Sequence, residues 1–510
     1  MQAAATTSRR AGLPALRFAA PLLAAAAAAF VYHRALAYFF SQDDFLGLAR
    51  AAGIAPRLTG VWRYLSHQAF FDLMRPLAGL DPALYHAVSL AAHAACAAIL
   101  AAFLGRVVSR PAALVGAVFF AVHPSLFGAV YWISAVGDSL ALLGALGALL
   151  LALRGDRLRW ASLPLFGLSL LAKESTLLLP AVVALVARTR GGRDAPARTA
   201  TRGVVLGLAA IAIVHLVAFA AGDAFGVRGG LPGEAPYAIG LGTHIGANAL
   251  SYLGWTANFL LPTVRGFTDA VDVPVFPWAI GLLVLWFAGL RSRGLRAHGW
   301  AAGGAAFVLF LLPVLPLRHH TYHYYLYAPL VGAAWCVAAA AEQALSRIGG
   351  GRAAWAIAGA CAALLTLNGW LLVRKVESAP FVLPELRADP VVDRARIARN
   401  VHESLAALPQ PPGDTLLFWS PIAASLGPHG EPLATPAPRE TYWERNVRGA
   451  LLDGLAVRVM FPRVATVRFV REYRHAPVSS RYAVYRPDGR LRVATSAEVD
   501  SILRSMTAGP

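Results

Sequence analysis

The chain has 510 residues, of which 57% are hydrophobic and 14% are charged, whereas globular soluble domains average about 25% charged residues. This composition excludes an ordinary soluble domain and indicates a protein that crosses a membrane several times. The formal net charge of +19 would suit nucleic-acid binding, but the arginines lie in short clusters between apolar runs, where they orient membrane helices. We therefore expect contact with membrane lipids and no nucleic-acid partner.

Long apolar runs begin near the N-terminus and recur up to residue 373. A spanning helix needs about 20 largely apolar residues. The first run continues past His33 and Arg34 without a convincing cleavage site, so we interpret it as an uncleaved helix. The sequence predicts a polytopic α-helical membrane protein with about eleven transmembrane helices. These runs lie near residues 18–40, 83–104, 111–130, 133–153, 159–172, 176–187, 203–221, 277–290, 300–316, 325–345 and 353–373.

Arginine clusters between these runs predict the orientation. If the N-terminus is cytoplasmic, every cluster falls on the cytoplasmic side, as the positive-inside rule requires. This holds when the apolar segment 243–262 is an interfacial or partly inserted helix within a long external loop. The predicted location is the inner (cytoplasmic) membrane, with a periplasmic C-terminus. The clusters lie at 106–110, 154–159, 188–202, 291–296 and 347–352.

The composition changes after about residue 378, where long apolar runs stop. We divide the chain into a multi-pass membrane domain, 1–378, and a small soluble extracytoplasmic α/β domain, 379–510. Within the second domain, "DPVVDRARIARNVHESLAAL" has helical periodicity, and "TLLFWS", "VRVMF" and "ATVRFV" are typical of strands. "RYAVYRPDGRLRVAT" predicts a hairpin that turns at 487–489, and Thr495 and Glu498 have capping-box spacing before a final helix.

Polar residues collect at the predicted outer ends of the helices, whereas the inner loops hold mainly arginine. Polar groups at the bilayer edge are costly unless they are paired or face a cavity, so their convergence predicts an outward-facing site. For any single member, an ordinary interfacial residue is the alternative interpretation. The set comprises Asp43, Asp44, His67, Asp72, Arg75, His123, Asp138, Lys173, Glu174 and the stretch 318–327.

Lys173 stands out because the chain has only two lysines, and this one lies within "LSLLAKESTLLLP". The short apolar runs on either side predict a helical hairpin whose tip holds Lys173 and Glu174. Adjacent helical residues do not face each other, so each should have its own partner. For Lys173, a lipid phosphate and a carboxylate of the first loop are both candidates.

Several segments together resemble a known family. "SQDDF", "MRPLAGLDPALYHAVSLAAHAACAAIL", "AVHPSLFGAVYWISAVGDSLALL", "LAKESTLLLP" and "HTYHYYLYAPLVG" occur in this order over residues 30–335. Their order and spacing resemble GT-C glycosyltransferases of the protein O-mannosyltransferase-like branch, including bacterial relatives of transmembrane mannosyltransferases. The resemblance implies a hexosyl- or pentosyltransferase. It would take sugar from a polyprenyl-phosphate donor at the external face and pass it to a protein, lipid or glycan acceptor.

The resemblance also assigns residues. The family's acidic motif maps onto Asp43 and Asp44, its His-Pro pair onto His123 and Pro124, its Lys-Glu pair onto Lys173 and Glu174, and its tyrosine-rich stretch onto Tyr322 to Tyr327. Two features depart from the family: Gly137 stands where a basic residue usually precedes the acidic Asp138, and no tetratricopeptide array is present. The acceptor is therefore not inherited from the repeat-bearing relatives.

Such a transfer needs a base for the acceptor hydroxyl and cations or donors for the departing phosphate. If Ser41 caps a helix, Asp44 closes a capping box and Asp43 projects about 100° away, which favours Asp43 as the base and Asp44 as a cap or supporting group. Both are candidate catalytic residues. The candidate substrate- and phosphate-binding residues are Arg75, His123, Asp138, Lys173, Glu174, Arg318, Tyr322, Tyr325 and Tyr327.

The cofactor stays open. A divalent metal ion held by a carboxylate with His or Glu partners is one alternative, because hard cations favour oxygen ligands. Asp43, His319 and His323 are weak candidates for it, the two histidines being four residues apart.

Two other classes of function compete with a glycosyltransferase. A transporter or flippase for a lipid-linked precursor would also need basic groups in a membrane cavity, but we find no internal repeat of the kind that many transporters show. A non-catalytic envelope assembly protein with degenerate site residues is the other, and the altered "VGD" at 136–138 favours it.

Overall fold

The computed structural model is predominantly helical, with a small sheet near the C-terminus. It describes residues 16–58, 60–189, 195–224, 239–257, 275–318, 320–348, 351–374, 390–408, 415–419, 447–469, 481–485 and 491–494. The first helices are α1 (Leu16–Tyr32), α2 (Asp44–Ala51), α3 (Phe70–Ala78), α4 (Pro82–Leu104), α5 (Arg110–Ala121), α6 (Phe127–Tyr131), α7 (Val136–Ala152), α8 (Ser162–Ala172) and α9 (Leu179–Thr189). They continue with α10 (Ala195–Ala224), α11 (His244–Ala257), α12 (Phe276–Arg291), α13 (Arg293–Ala297), α14 (Trp300–Leu311), α15 (Leu330–Leu345), α16 (Gly351–Leu372), α17 (Pro390–Ala406) and α18 (Leu455–Met460).

Every predicted apolar run contains a helix, but fewer than eleven are long enough to cross a membrane. Within the described ranges, five segments meet that length and composition, and a bent pair makes a possible sixth. The pair, Arg110–Ala121 and Pro124–Tyr131, bends by 48° where Pro124 supplies no backbone N–H. The five are Phe18–Ala37, Pro82–Leu104, Ile133–Ala152, Thr201–Ala221 and Arg352–Leu372.

The helices on either side of Lys173 are short. α8 and α9 have 11 residues each, which at 1.5 Å per residue is about 17 Å, roughly half of the about 30 Å hydrocarbon core of a bilayer. α8 packs on α7, and both short helices pack on α10. They bring the chain into the interior and back through a turn at Glu174–Thr176.

Two of the long helices carry broad apolar outer faces. The window of α10 that could span is only 22% buried, and that of α16 only 17%. Apolar patches of this extent mark surfaces that meet lipid or another protein, and together with the long apolar helices they indicate a helical membrane protein. Large exposed side chains on these faces are Leu206, Ile213, Val214, Val217, Trp355 and Trp370.

α11 occupies the segment predicted to be an interfacial helix. Its Asn248 is buried, and the side-chain amide donates to the carbonyl oxygens of Leu315 and Leu317 at 3.0 and 2.9 Å. This helix is therefore tied by a polar clamp to the segment that follows α14. Residues 258–262 of the predicted helix lie outside the described residues.

The C-terminal part contains a four-stranded mixed sheet of order β2-β1-β3-β4. Its strands are β1 (Thr415–Trp419), β2 (Thr466–Phe469), β3 (Arg481–Tyr485) and β4 (Leu491–Ala494). β1 pairs in parallel with β2 (Leu416 opposite Val467) and with β3 (Leu416 opposite Arg481). β3 and β4 are antiparallel, with Tyr482 opposite Ala494.

Most sequence predictions for this part are confirmed. The helix within 389–408, the strands in "TLLFWS" and "ATVRFV", and the pairing of the two hairpin strands are all present. The strand predicted at "VRVMF" is wrong, because this segment forms α18. Its buried residues Ala456, Val457 and Met460 recur at helical spacing and pack toward α2. The hairpin turn at 487–489 and the final helix lie outside the described residues.

The apolar interior has two parts. One lies within the bundle, where α1, α4, α5, α7, α14 and α15 meet. The other joins the first loop to the C-terminal part: Phe40 and Phe45 belong to the same cluster as Val401, Val447 and Val457. The residues on the two sides of the predicted boundary at 378 thus share one core, which holds the loop carrying Asp43 and Asp44.

Candidate functional site

Asp44 is buried and fixes the first loop. Its Oδ2 accepts a hydrogen bond from the backbone N–H of Ser41 at 2.9 Å, and its Oδ1 accepts one from the backbone N–H of Ser134 at 2.7 Å. The first is the bond that the predicted capping box requires from the carboxylate. The second joins the loop to the residues that precede α7. Burial raises the pKa of Asp44 to about 7, although these two hydrogen bonds oppose the rise.

We expect Asp44→Asn to destabilise the fold by about 1–3 kcal/mol, the cost of leaving a buried donor without an acceptor. An amide offers one oxygen, so one of the two backbone N–H groups, of Ser41 or Ser134, would face an NH2 group. Unfolding of the purified protein in detergent, by heat or denaturant, measures the change. Asp43→Asn is the matched control and should unfold like the wild type, and equal stability of all three proteins would contradict this role of Asp44.

Asp43 has a different environment from its neighbour. It directly precedes α2, but its side chain makes no capping hydrogen bond. Its surface reaches solvent although protein atoms surround it closely, so the carboxylate lies in a concave, water-accessible place. Burial raises the pKa of Asp43, and the charges of Arg394, Arg50 and Arg63 oppose this rise. Among the described residues, it forms no side-chain hydrogen bond or ion pair, so the carboxylate is accessible to a ligand.

Arg63 connects this carboxylate to the turn after α8. It is buried, its backbone has the left-handed φ of 51°, and its Nε donates to Oε2 of Glu174 at 3.0 Å. A second bond runs from Nη2 to Oε1, so the pair is bidentate. Burial alone would raise the pKa of Glu174, but the charge and hydrogen bonds of Arg63, aided by Lys173, lower it to about 2.

Gly137 explains how this loop reaches the turn. A Cβ at Gly137 would lie 2.9 Å from Oγ of Ser66 and 2.9 Å from the carbonyl oxygen of Ala172, closer than real Cβ contacts. Ser66 Oγ donates to that same carbonyl at 2.7 Å. The basic residue expected before Asp138 would not fit here, and the guanidinium beside Glu174 comes from Arg63 instead.

Lys173 and Asp138 form a buried ion pair. Lys173 Nζ lies 2.6 Å from Oδ2 of Asp138, and the two side chains are 7% and 1% exposed. The ammonium also lies over the rings of Tyr324 and Tyr325, at 4.7 and 5.0 Å from their centroids, in cation–π contact. The prediction that Lys173 and Glu174 have separate partners is confirmed. The partner of Lys173 is a carboxylate of α7.

A comparison of three groups in this region favours Asp43 as a base. A general base works best when its pKa lies near the operating pH. Burial, with the charges of Arg63 and Lys173, lowers the pKa of His67 to about 3, and Glu174 is held near 2. Both would accept a proton poorly at neutral pH. Only Asp43 of these three is shifted toward neutrality and reaches solvent without a bonded partner among the described residues.

Positive charge predominates around Asp43. Among the described residues, four cations act here against three carboxylates, and the Nε of Arg50 has no hydrogen-bond partner. Such an excess favours an anionic ligand, and guanidinium groups suit phosphate oxygens in particular. The cations are Arg50, Arg63, Lys173 and Arg394, and the carboxylates are Asp43, Asp138 and Glu174. We name these seven residues the charge cluster.

Other predicted site residues lie elsewhere. Arg75 is exposed at the end of α3, where its charge acts on Tyr85. Arg318 is exposed, and its side chain covers Gly240. Neither is among the charges that act on Asp43. The phosphate-binding role expected of these two arginines therefore suits Arg50, Arg63 and Arg394 better.

His123 and Tyr327 are buried and engaged in the core. The Nδ1 of His123 accepts from the backbone N–H of Ser125 at 3.3 Å, and its Nε2 donates to the carbonyl of Thr256 at 3.2 Å. The hydroxyl of Tyr327 bonds to Nδ1 of His93 at 2.7 Å. These bonds join helices within the bundle, which is a structural use of both side chains.

The tyrosine-rich stretch faces Lys173 with only some of its members. Tyr325 touches the ammonium directly, and Tyr322 stacks on the neighbouring Tyr324 with ring centroids 5.2 Å apart. His323 is buried, with its ring centroid 4.0 Å from that of Trp255. Within the described part of the chain, no group of three or more His, Cys, Asp or Glu residues is arranged to hold a metal ion. His319 lies outside that part.

Sequence reasoning did not identify Arg50, Arg63 or Arg394 as site residues. A usable signal existed for Arg63: it is a single arginine within the aromatic stretch "GVWRYLSHQAFF" between two predicted outer loops. Arg50 falls in the last turn of α2. Arg394 is 351 residues beyond Asp43 in the chain, and no local pattern connects them.

Comparison with known proteins adds no family to this geometry. No protein-family model matches the sequence, and no curated protein matches it.

Proposed function

We propose that the protein is a membrane glycosyltransferase that transfers a sugar from a polyprenyl-phosphate donor to an acceptor hydroxyl at the external membrane face. The observation that carries this proposal is the charge cluster. It combines a solvent-accessible carboxylate of raised pKa with a cationic excess beside it. A base and an anion-binding group next to each other are what a transfer with a phosphate leaving group requires.

In this reaction the Asp43 carboxylate accepts the proton of the acceptor hydroxyl as its oxygen attacks the anomeric carbon. A carbon–oxygen bond forms to the acceptor, and the bond from the anomeric carbon to the phosphate oxygen breaks. The electron pair leaves with the polyprenyl phosphate, where negative charge accumulates. Arg50, Arg63 and Arg394, which act on Asp43, would stabilise that charge in a partly desolvated place.

The remaining residues of the cluster support these two functions. Glu174 holds the guanidinium of Arg63 in a bidentate bond, and Asp138 with Tyr324 and Tyr325 holds Lys173. The proposed topology has eleven crossings in the inner membrane and a periplasmic C-terminal domain. It puts the cluster on the external face, where lipid-linked sugars are presented.

A donor panel tests this function. We expect purified protein in liposomes, supplied with radiolabelled polyprenyl-phosphate sugars and envelope fractions as acceptors, to consume at least one donor and release polyprenyl phosphate. An Asp43→Asn preparation is the control, and a parallel set with EDTA tests for a metal requirement. If every donor stays intact, the proposal fails. A donor that crosses the bilayer without cleavage would instead favour a flippase.

A further inference from the structure

Residues beyond 390 touch the backbone next to Asp43. Arg394, on α17, donates from Nη1 to the side-chain Oε1 of Gln42 at 2.5 Å. The backbone N–H of Gln42 donates to the carbonyl of Ala450 at 3.1 Å. Arg399, one helical turn beyond Arg394, donates to the carbonyl of Ala37. The residue preceding Asp43 is thus bonded through both its backbone and its side chain to the C-terminal part.

Gln42 needs such support because its backbone is strained. Its φ is 55°, a left-handed conformation that non-glycine residues adopt only at a cost and keep where the surroundings hold them. It is 6% exposed, so solvent does not compensate its polar groups. The conformation of Gln42 determines the direction in which the next residue, Asp43, leaves the loop.

The packing around these bonds is close. A Cβ at Gly449 would lie 3.1 Å from Cζ of Arg394, so the guanidinium rests on the backbone of the 447–450 turn. Phe40 and Phe45, on either side of Gln42, share the second core with Val447 and Val401. The side chain of Arg394 is therefore held between this turn and Gln42, in one position.

The charge of Arg394 also reaches the carboxylate. It heads the cations that lower the pKa of Asp43 against the effect of burial, with Arg50 of α2 and Arg63 of the following loop after it, while Asp43 in turn raises the pKa of Asp44. Removing Arg394 would leave Arg50 and Arg63 as opposing charges, so the pKa of Asp43 would rise further.

We propose that Arg394 is a positioning residue by which the C-terminal domain holds Gln42 in its left-handed conformation and so orients the Asp43 carboxylate. The bond to Gln42 is a property of the fold, and its consequence for catalysis rests on the proposed function. In this view the C-terminal domain completes the site of the membrane domain through α17.

Hydrogen exchange in the intact protein tests the positioning without any enzyme assay. We expect Arg394→Ala to exchange the amides of the peptide spanning 38–52 about tenfold faster or more, as for loss of a hydrogen bond to a charged group. Arg396→Ala is the matched control, because Arg396 is on the same helix, 46% exposed and paired with Asp393. It should leave this peptide unchanged. Equal exchange in the two variants would overturn the proposal.

A double substitution isolates the contact with Gln42. Glycine tolerates φ 55° without strain, so Gln42→Gly should remove both the acceptor and the need for it. Arg394→Ala added to Gln42→Gly is then expected to speed exchange of this peptide much less than it does in the wild-type background. An undiminished effect of Arg394→Ala in the Gln42→Gly background would show that Arg394 acts elsewhere, and would also overturn the proposal.

The pH profile of donor consumption links this contact to catalysis. Asp43 is active as a base when deprotonated, so activity falls as the pH drops below its pKa. Arg394→Gln removes an opposing charge and raises that pKa, so the acidic limb should move to higher pH, whereas Arg394→Lys keeps the charge and should leave it near the wild-type position. A protein that shows the exchange difference but consumes no donor keeps the positioning contact and overturns the proposed function.

Discussion

Asp43→Asn is expected to lower the rate of sugar transfer by about 10²- to 10⁴-fold, the usual contribution of a general base, while the protein unfolds as the wild type does. The amide keeps the size of the carboxylate but accepts no proton. The side chain has no bonded partner among the described residues, so the fold loses nothing. Initial rates of donor consumption in liposomes, together with unfolding in detergent, measure both parts of this expectation.

Two comparisons make this result specific. Asp156→Asn changes an exposed carboxylate that pairs with Arg154 on the loop before α8, and it should leave the rate unchanged. Asp44→Asn should lose stability first, because it disturbs the hydrogen bonds to Ser41 and Ser134. Full activity of Asp43→Asn in a protein that does transfer sugar would exclude Asp43 as the base.

The two adjacent carboxylates differ because the chain places them at different depths. The spacing from Ser41 was enough to predict that Asp44 would turn back toward the loop and Asp43 away from it. It was not enough to predict that Asp44 would also accept from Ser134, 90 residues further on. That bond depends on the approach of α7 to the loop, which no local pattern encodes.

Helices were predictable from hydropathy, and their lengths were not. The runs around Lys173 are apolar enough to suggest two crossings, but α8 and α9 have 11 residues each and pack on α7 and α10. A run of apolar residues serves protein contacts as well as lipid contacts, and hydropathy does not separate the two. The strand predicted at "VRVMF" failed for a related reason, because its alternating valines also fit one face of a helix.

Polar residues within apolar runs were correctly singled out, but their uses divide. Lys173, Asp138 and Glu174 belong to the charge cluster. His123 and Tyr327 instead hydrogen-bond within the bundle. Both uses satisfy a buried polar group, so the sequence alone does not distinguish a site from an interhelical tie. Arg63 escaped prediction because its role depends on a left-handed backbone and a partner 111 residues away.

The second large effect concerns the pair of Lys173 and Asp138. We expect Lys173→Met to destabilise the protein by about 3–5 kcal/mol, because removing one member of a buried ion pair leaves the other charge uncompensated. Asp138→Leu leaves the ammonium with Tyr324 and Tyr325 only, and it should also be costly. The double variant Lys173→Met with Asp138→Leu should recover most of the loss, since apolar replacements of a buried pair are often neutral. Unfolding of the four proteins in detergent gives the coupling between the two residues.

The activity of the double variant then separates two roles of Lys173. Nζ is 2.6 Å from Asp138, so the pair is nearly neutral as a unit, and the cationic excess beside Asp43 comes from Arg50, Arg63 and Arg394. If the pair only supports the fold, the stable double variant should transfer sugar within a few-fold of the wild type. A stable double variant that binds or cleaves no donor would instead show that Lys173 contacts the phosphate, as the sequence first predicted. Independent, additive losses of stability would refute the coupling, because contacting residues that form a buried pair should not behave additively.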